Sequence, residues 1–244
     1  MNCGHELDES DTFCSSCGAS VIRRDISLWY LIRDSFSTLI DWEQGTLRTF
    51  RDLLLDPGKV VRFYWDGGRK RYVEPLRFYF ITYILYQFYI LITDERLFFI
   101  AFIAGFHSGA GEGILTGEEQ GRMQLLVEVS TVLFSLILPI MALASSAAFS
   151  NLKRSYTEHI VLNSYLIGQL LLFSVLFDLL SDIPMLETAG VLVGFGFMAV
   201  YVAYTVIRSL DISAPSAIGG MALTTFLGFI LNAILFGVIS AIVL

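Results

Sequence analysis

The sequence predicts an all-α polytopic membrane protein with about five transmembrane helices, a short zinc-ribbon-like head and cytoplasmic amphipathic helices between them. Three observations carry that prediction. The 244 residues are 55% hydrophobic and 16% charged, with a mean hydropathy of +0.66, whereas soluble domains carry roughly 25% charged residues. Uncharged stretches that approach or exceed the ~20 residues needed to cross hydrocarbon fill the part after residue 75. All three cysteines, Cys3, Cys14 and Cys17, fall in the polar N-terminus, too few and too clustered for a disulfide framework. Three segments follow: a head at 1–20, a juxtamembrane shoulder at 21–75 and a membrane domain at 76–244.

Taken in order, the spans are 76–92, 125–149, 160–180, 189–207 and 218–244. The first opens at Glu74-Pro75 and is rich in Phe and Tyr. Pro139 predicts a kink in the second, because proline removes an intrahelical donor. Gly190, Gly194 and Gly196 predict close helix contact in the fourth. The apolar run 97–106 is too short to span and reads as an interfacial or packed segment.

Charge asymmetry orients this array. Lys59, Arg62, Arg69, Lys70, Arg71, Arg77, Lys153, Arg154 and Arg208 fall on one side, and only Arg96 and Arg122 on the other. That bias predicts a cytoplasmic N-terminus and an external C-terminus. The cysteine-bearing head asks for the same side, because thiols stay reduced there. No secretory signal precedes it.

In the head, Cys14-Ser15-Ser16-Cys17 followed by Gly18 forms a complete C-x-x-C-G knuckle, with Phe13 as a packing residue beside it. Zinc ribbons pair two such knuckles, each turn pointing two thiolates at one tetrahedral ion. The first knuckle is half present. Cys3-Gly4 resembles the end of one whose earlier cysteine would precede Met1. Either the start lies upstream or the fourth ligand differs, and His5 is the candidate substitute. The expected cofactor is a structural Zn2+ on Cys3, Cys14, Cys17 and His5; the alternative is a chance cysteine trio in a tail. Closed knuckles leave no open position for a reacting water, so catalytic zinc is not expected.

The shoulder carries amphipathic periodicity. Leu28, Leu31, Ile32, Phe36, Leu39 and Ile40 share one helical face, and Leu47, Phe50, Leu53 and Leu54 share the apolar side of a second helix after Gly45. Asp56-Pro57 predicts an N-cap and first-turn proline for a third helix, stopped by Gly67-Gly68. These faces need lipid headgroups, the spans or a partner to bury them. Arg69, Lys70 and Arg71 read either as a contact for anionic lipid or a partner, or as an ordinary positive-inside anchor.

Three segments here, Gly45-Thr46-Leu47-Arg48-Thr49-Phe50, Asp56-Pro57-Gly58-Lys59-Val60 and the run from Gly68 to Phe78, resemble a bacterial multispan membrane family of unknown function. Many of its members begin with a zinc ribbon. Tyr156-Thr157-Glu158-His159 is similar to a second recurring motif of that family. The resemblance runs from the head through the third span. It implies a fold and a location, and it brings no activity and no catalytic residues.

Glu158 and His159, at the cytoplasmic mouth of the third span, form a possible polar membrane site. Neighbouring helical residues point about 100° apart, so the pair is poorly placed to chelate one ion, and packing against another helix or Arg69-Lys70-Arg71 is the plainer reading. Asn163, Gln169 and Asn232 read as interhelical hydrogen bonds. No metalloprotease, nucleotide-loop, nucleophile-elbow or dinucleotide motif is present. The sequence therefore favours a non-enzymatic inner-membrane anchoring or assembly protein, its head docking a protein partner or lipid. A small transporter or permeation module using Glu158 and His159 is the alternative, and a lipid-modifying membrane enzyme a third reading. Membrane lipids and a protein partner or second copy are the expected partners; nothing calls for nucleic acid.

Overall fold

A computed structural model describes residues 12–16, 45–68, 70–93, 136–181 and 187–243. Its helices are α1 (Gly45–Leu55), α2 (Pro57–Trp65), α3 (Pro75–Thr93), α4 (Ile137–Ala148), α5 (Tyr156–Ser181), α6 (Glu187–Leu210) and α7 (Ala214–Val243), with a 3-10 turn at Ser150–Leu152. Among the described residues, four stretches are long and apolar enough to cross a membrane: Pro75–Thr93, Tyr156–Leu180, Val193–Leu210 and Ala214–Leu235. Their outer faces carry exposed Val193, Val200, Leu223, Phe226 and Phe229, as lipid contact requires. The chain is therefore an all-α, multi-pass membrane protein.

Of the expected spans, the first, third, fourth and fifth match α3, α5, α6 and α7 to within four residues at each end. Only α4 represents the second; its expected start at 125 and the 97–106 segment lie outside the described residues. A kink at Pro139 would fall between α4 and the stretch before Leu136, which lies outside the described residues. That helix begins at Ile137, so Pro139 sits in its first turn, where a missing N–H breaks no intrahelical bond. The face from Leu28 to Ile40 also lies outside the described residues.

Helix α5 is the hub. In its span 61% of the residues are buried, against 11% for α7. Helices α3, α4 and α6 pack on it, and α7 closes against α4 and α6. Gly194 of α6 lies against the Phe177 ring, whereas a side chain at Gly196 would meet open space, so one of those two glycines serves close packing.

The shoulder is built on strong local signals. Asp56 accepts the Lys59 backbone N–H at 3.3 Å and caps α2, with Pro57 as its first residue. At the other end, Gly67 takes φ +91°, and the Gly68 and Gly67 amides return to the Phe63 and Tyr64 carbonyls at 2.9 and 3.2 Å. That is a Schellman ending, which needs a left-handed residue and so favours glycine. The α1 face differs from the expected one. Thr49 and Leu53 are buried, whereas Leu47 is 76% exposed and Leu54 is exposed as well. Thr49 wins the inner face because its hydroxyl accepts the Val73 N–H at 3.0 Å and donates to the Gly45 carbonyl at 2.8 Å. A leucine there would leave the buried Val73 N–H unpaired.

Helix α2 crosses the end of α6 at Gly58, where any Cβ would collide with the Arg208 backbone. Gly58→Ala should lower the unfolding free energy of the detergent-solubilised protein by about 1–3 kcal/mol, the usual range for overpacking. Thermal unfolding of the pair measures it; an unchanged midpoint would contradict this crossing.

Candidate functional site

Two places concentrate functional chemistry: the mouth of the spans, where the shoulder meets α5 and α6, and the cysteine head. At the mouth the shoulder is set into the spans. Tyr201 of α6 donates its hydroxyl to the Leu53 carbonyl at 3.1 Å, and Tyr204 to Leu55 at 2.9 Å. Tyr165 of α5 donates to the Val73 carbonyl at 2.6 Å. Tyr201 precedes the end of α6 at Leu210 by nine residues, and Tyr165 follows the start of α5 by nine. At 1.5 Å per residue each lies about 14 Å inside its helix. The shoulder is therefore seated beside the third turn of the spans, not perched above them. Arg208 pairs with Asp56 at 3.2 Å, and Arg62 donates to the Arg208 carbonyl.

Lys70 and Arg71 are exposed, and the Arg71 guanidinium lies over the Tyr72 ring at 5.5 Å; Arg69 lies outside the described residues. The Tyr72 hydroxyl donates to Asp52 at 3.0 Å. Burial opposes ionisation of Asp52, but the bonds from Arg51 and Tyr72 outweigh it and hold the carboxyl below its ordinary value. This tie contributes above the ordinary carboxylate pKa and is lost as pH falls through the lowered one.

Glu158 and His159 point to different partners, as neighbouring helical residues must. Glu158 closes a capping box with Ser155. Its carboxylate accepts the Ser155 N–H at 2.8 Å, while the Ser155 hydroxyl accepts the Glu158 N–H at 3.2 Å. Its other oxygen meets Arg154 at 2.6 Å, so the cation beside it is Arg154. Arg154 also covers the Trp65 ring at 4.5 Å, and the Trp65 indole donates to the Glu158 carbonyl at 3.2 Å. The Ser-x-x-Glu spacing could have disclosed this cap from sequence; reading Glu158 with His159 obscured it.

His159 is 1% exposed and turns inward. Its Nδ1 lies 3.0 Å from the Ser145 hydroxyl of α4. The Asn163 amide donates to that hydroxyl at 2.9 Å and to the His159 carbonyl at 2.8 Å. This buried triad ties α4 to α5. Asn163 thus makes the interhelical bond expected of it. Asn232 instead bonds the Gly228 carbonyl of its own helix, and Gln169, fully buried, makes no hydrogen bond through either amide atom.

In the head, Cys14 is buried and followed by a turn at Ser15-Ser16, the shape a C-x-x-C knuckle needs. Phe13 does not pack beside it as expected and is 63% exposed. Cys3, His5 and Cys17 lie outside the described residues. Among the described residues no group of three metal-binding side chains comes together. Cys14 thus fits a thiolate ligand, and any further ligands belong to the remaining head.

Two family models match the chain. One, described as a zinc-ribbon domain, covers residues 1–21. The other, described as a protein of unknown function (DUF3667), covers residues 43–87. The second match spans α1, α2 and most of α3, and so holds three of the four resembling segments; the segment from Tyr156 to His159 lies outside it. Comparison with curated proteins and with solved structures returned no match.

Ser155→Ala should destabilise the protein by about 1 kcal/mol through loss of the cap. Glu158→Gln should cost less, because glutamine also serves a capping box and the Arg154 pair is partly solvated. Unfolding of both variants at matched pH checks the order; Glu158→Gln as the worse lesion would refute the capping role. Elemental analysis of protein purified under reducing conditions without chelator should find about one zinc per chain, removed by Cys14→Ser with Cys17→Ser while the spans stay folded. Metal-free wild type would count against the head as a zinc site.

Proposed function

We propose that this is a non-enzymatic anchoring or assembly protein of the bacterial inner membrane, holding a cytoplasmic zinc-ribbon head on a rigid membrane base. The observation that carries this reading is the seating of α1 and α2 in the spans through Tyr165, Tyr201 and Tyr204. A shoulder fixed at several points transmits the position of whatever binds the head. The Lys and Arg asymmetry supports a cytoplasmic head and an external C-terminus. The head presents chemistry suited to a protein partner, with zinc as its structural ion.

Transport through Glu158 and His159 is disfavoured because their geometry commits them to a cap and to an interhelical triad. A lipid-modifying enzyme would need free polar groups at the mouth, and Glu158, His159 and Asp56 are engaged in caps, an interhelical bond and an ion pair. Complementation of a deletion strain at matched membrane abundance tests the reading. Cys14→Ser with Cys17→Ser should abolish complementation, and Glu158→Gln should retain it. The reverse pattern would replace anchoring with transport or catalysis.

A further inference from the structure

Arg77 stands in the first turn of α3, which opens at Pro75. It is 4% exposed, and its Nε makes no hydrogen bond. Among the described residues no carboxylate lies within ion-pair distance of its guanidinium. A cation with so little access to solvent and no counter-charge is costly to hold, and at a helix N-terminus it also meets the positive end of the helix dipole. Both terms would be offset by one anion at this point. The first hydrogen bond of α3 is from the Phe78 amide to the Glu74 carbonyl, at 2.8 Å. The Leu76 and Arg77 amides precede it and have no intrahelical acceptor, as at any helix start.

The rest of the helix says what kind of anion. Ile81, Ile84, Phe88 and Leu91 follow Arg77 at alternating steps of four and three and so share its face. Ile84, Phe88 and Leu91 are exposed, and Ile81 is half-buried. In a membrane-crossing helix this stripe meets acyl chains. Helical side chains lean toward the N-terminus, so Arg77 reaches back toward the end of the span where Lys70 and Arg71 are exposed. Only Nε is sealed; the terminal nitrogens still touch the surface.

We propose that Arg77 and the N-terminus of α3 bind the phosphate of an anionic phospholipid, whose acyl chains lie along Ile81, Ile84 and Phe88. The guanidinium fork matches two phosphate oxygens, and the stripe below it selects a lipid over a soluble anion. The site rests on the multi-pass placement alone and is independent of the anchoring reading.

The test is native mass spectrometry of the full chain, delipidated in mild detergent and titrated with phosphatidylglycerol, phosphatidylethanolamine or inorganic phosphate. Wild type should bind phosphatidylglycerol in preference to phosphatidylethanolamine. Arg77→Gln should weaken phosphatidylglycerol by about tenfold or more, the scale of a lost charge-assisted hydrogen bond. Arg77→Lys should lose less, and Arg48→Gln, at an exposed cation of α1, should change nothing. Equal binding by wild type and Arg77→Gln would overturn the proposal, as would displacement of the lipid by millimolar phosphate. Should Arg77→Gln fail to fold, photoactivatable phosphatidylglycerol on wild type decides the matter. Adducts within residues 75–91 support the site, and adducts only elsewhere reject it.

Discussion

Backbone carbonyls and amides beside a bilayer must find partners within the protein, and the shoulder leaves several of them outside any helix. Helix α1 stops at Leu55, α2 at Trp65, and the chain is non-helical at Val73 before α3 begins. The carbonyls of Leu53 and Val73 would be unsatisfied where they are buried against α6 and α5, and that of Leu55 ends α1 at a more exposed point. Three tyrosines answer them from the spans, and Thr49 answers the Val73 amide from α1. Tyrosine suits this task because its ring packs with the apolar wall while its hydroxyl reaches a carbonyl. The rest of the shoulder side is arranged around these bonds.

Once α1 and α2 are seated, the ends of α5 and α6 lose their independence. Arg208 serves Asp56 and Arg62, and Arg154 is shared between Glu158 and Trp65. The exposed ion pairs among these contribute little singly. Their value lies in fixing register between elements that a sequence reading would treat as separate. Deeper in, Ser145, His159 and Asn163 add a buried polar tie that orients α4 on the hub helix.

Much of this was legible where the signal is local. The apolar lengths located the spans, Asp56-Pro57 announced the α2 cap, and Gly67-Gly68 announced its end. The structure reveals partners that are distant in the chain. Thr49 looked like an ordinary residue on a leucine-patterned helix because its partner is 24 residues away. Tyr201 carried no sequence signal, and its acceptor is 148 residues earlier. Pro139 was expected to bend a long helix; it lies in the first turn of α4, and the stretch before Leu136 lies outside the described residues. For the head, the knuckle spacing around Cys14 was readable, and the zinc-ribbon match covers it. The resemblance was drawn from the head to the third span; the family model of unknown function reaches 43–87.

The tyrosine seating is most directly tested by hydrogen–deuterium exchange on the full chain in lipid nanodiscs, comparing wild type with Tyr165→Phe, Tyr201→Phe and Tyr204→Phe combined. Removing three hydroxyls leaves the packing of the rings and withdraws only the donors. The account predicts faster exchange across residues 45–74, with the α5 and α6 spans unchanged. Unaltered protection across 45–74 would mean that the shoulder is held by something else, and would contradict the central claim.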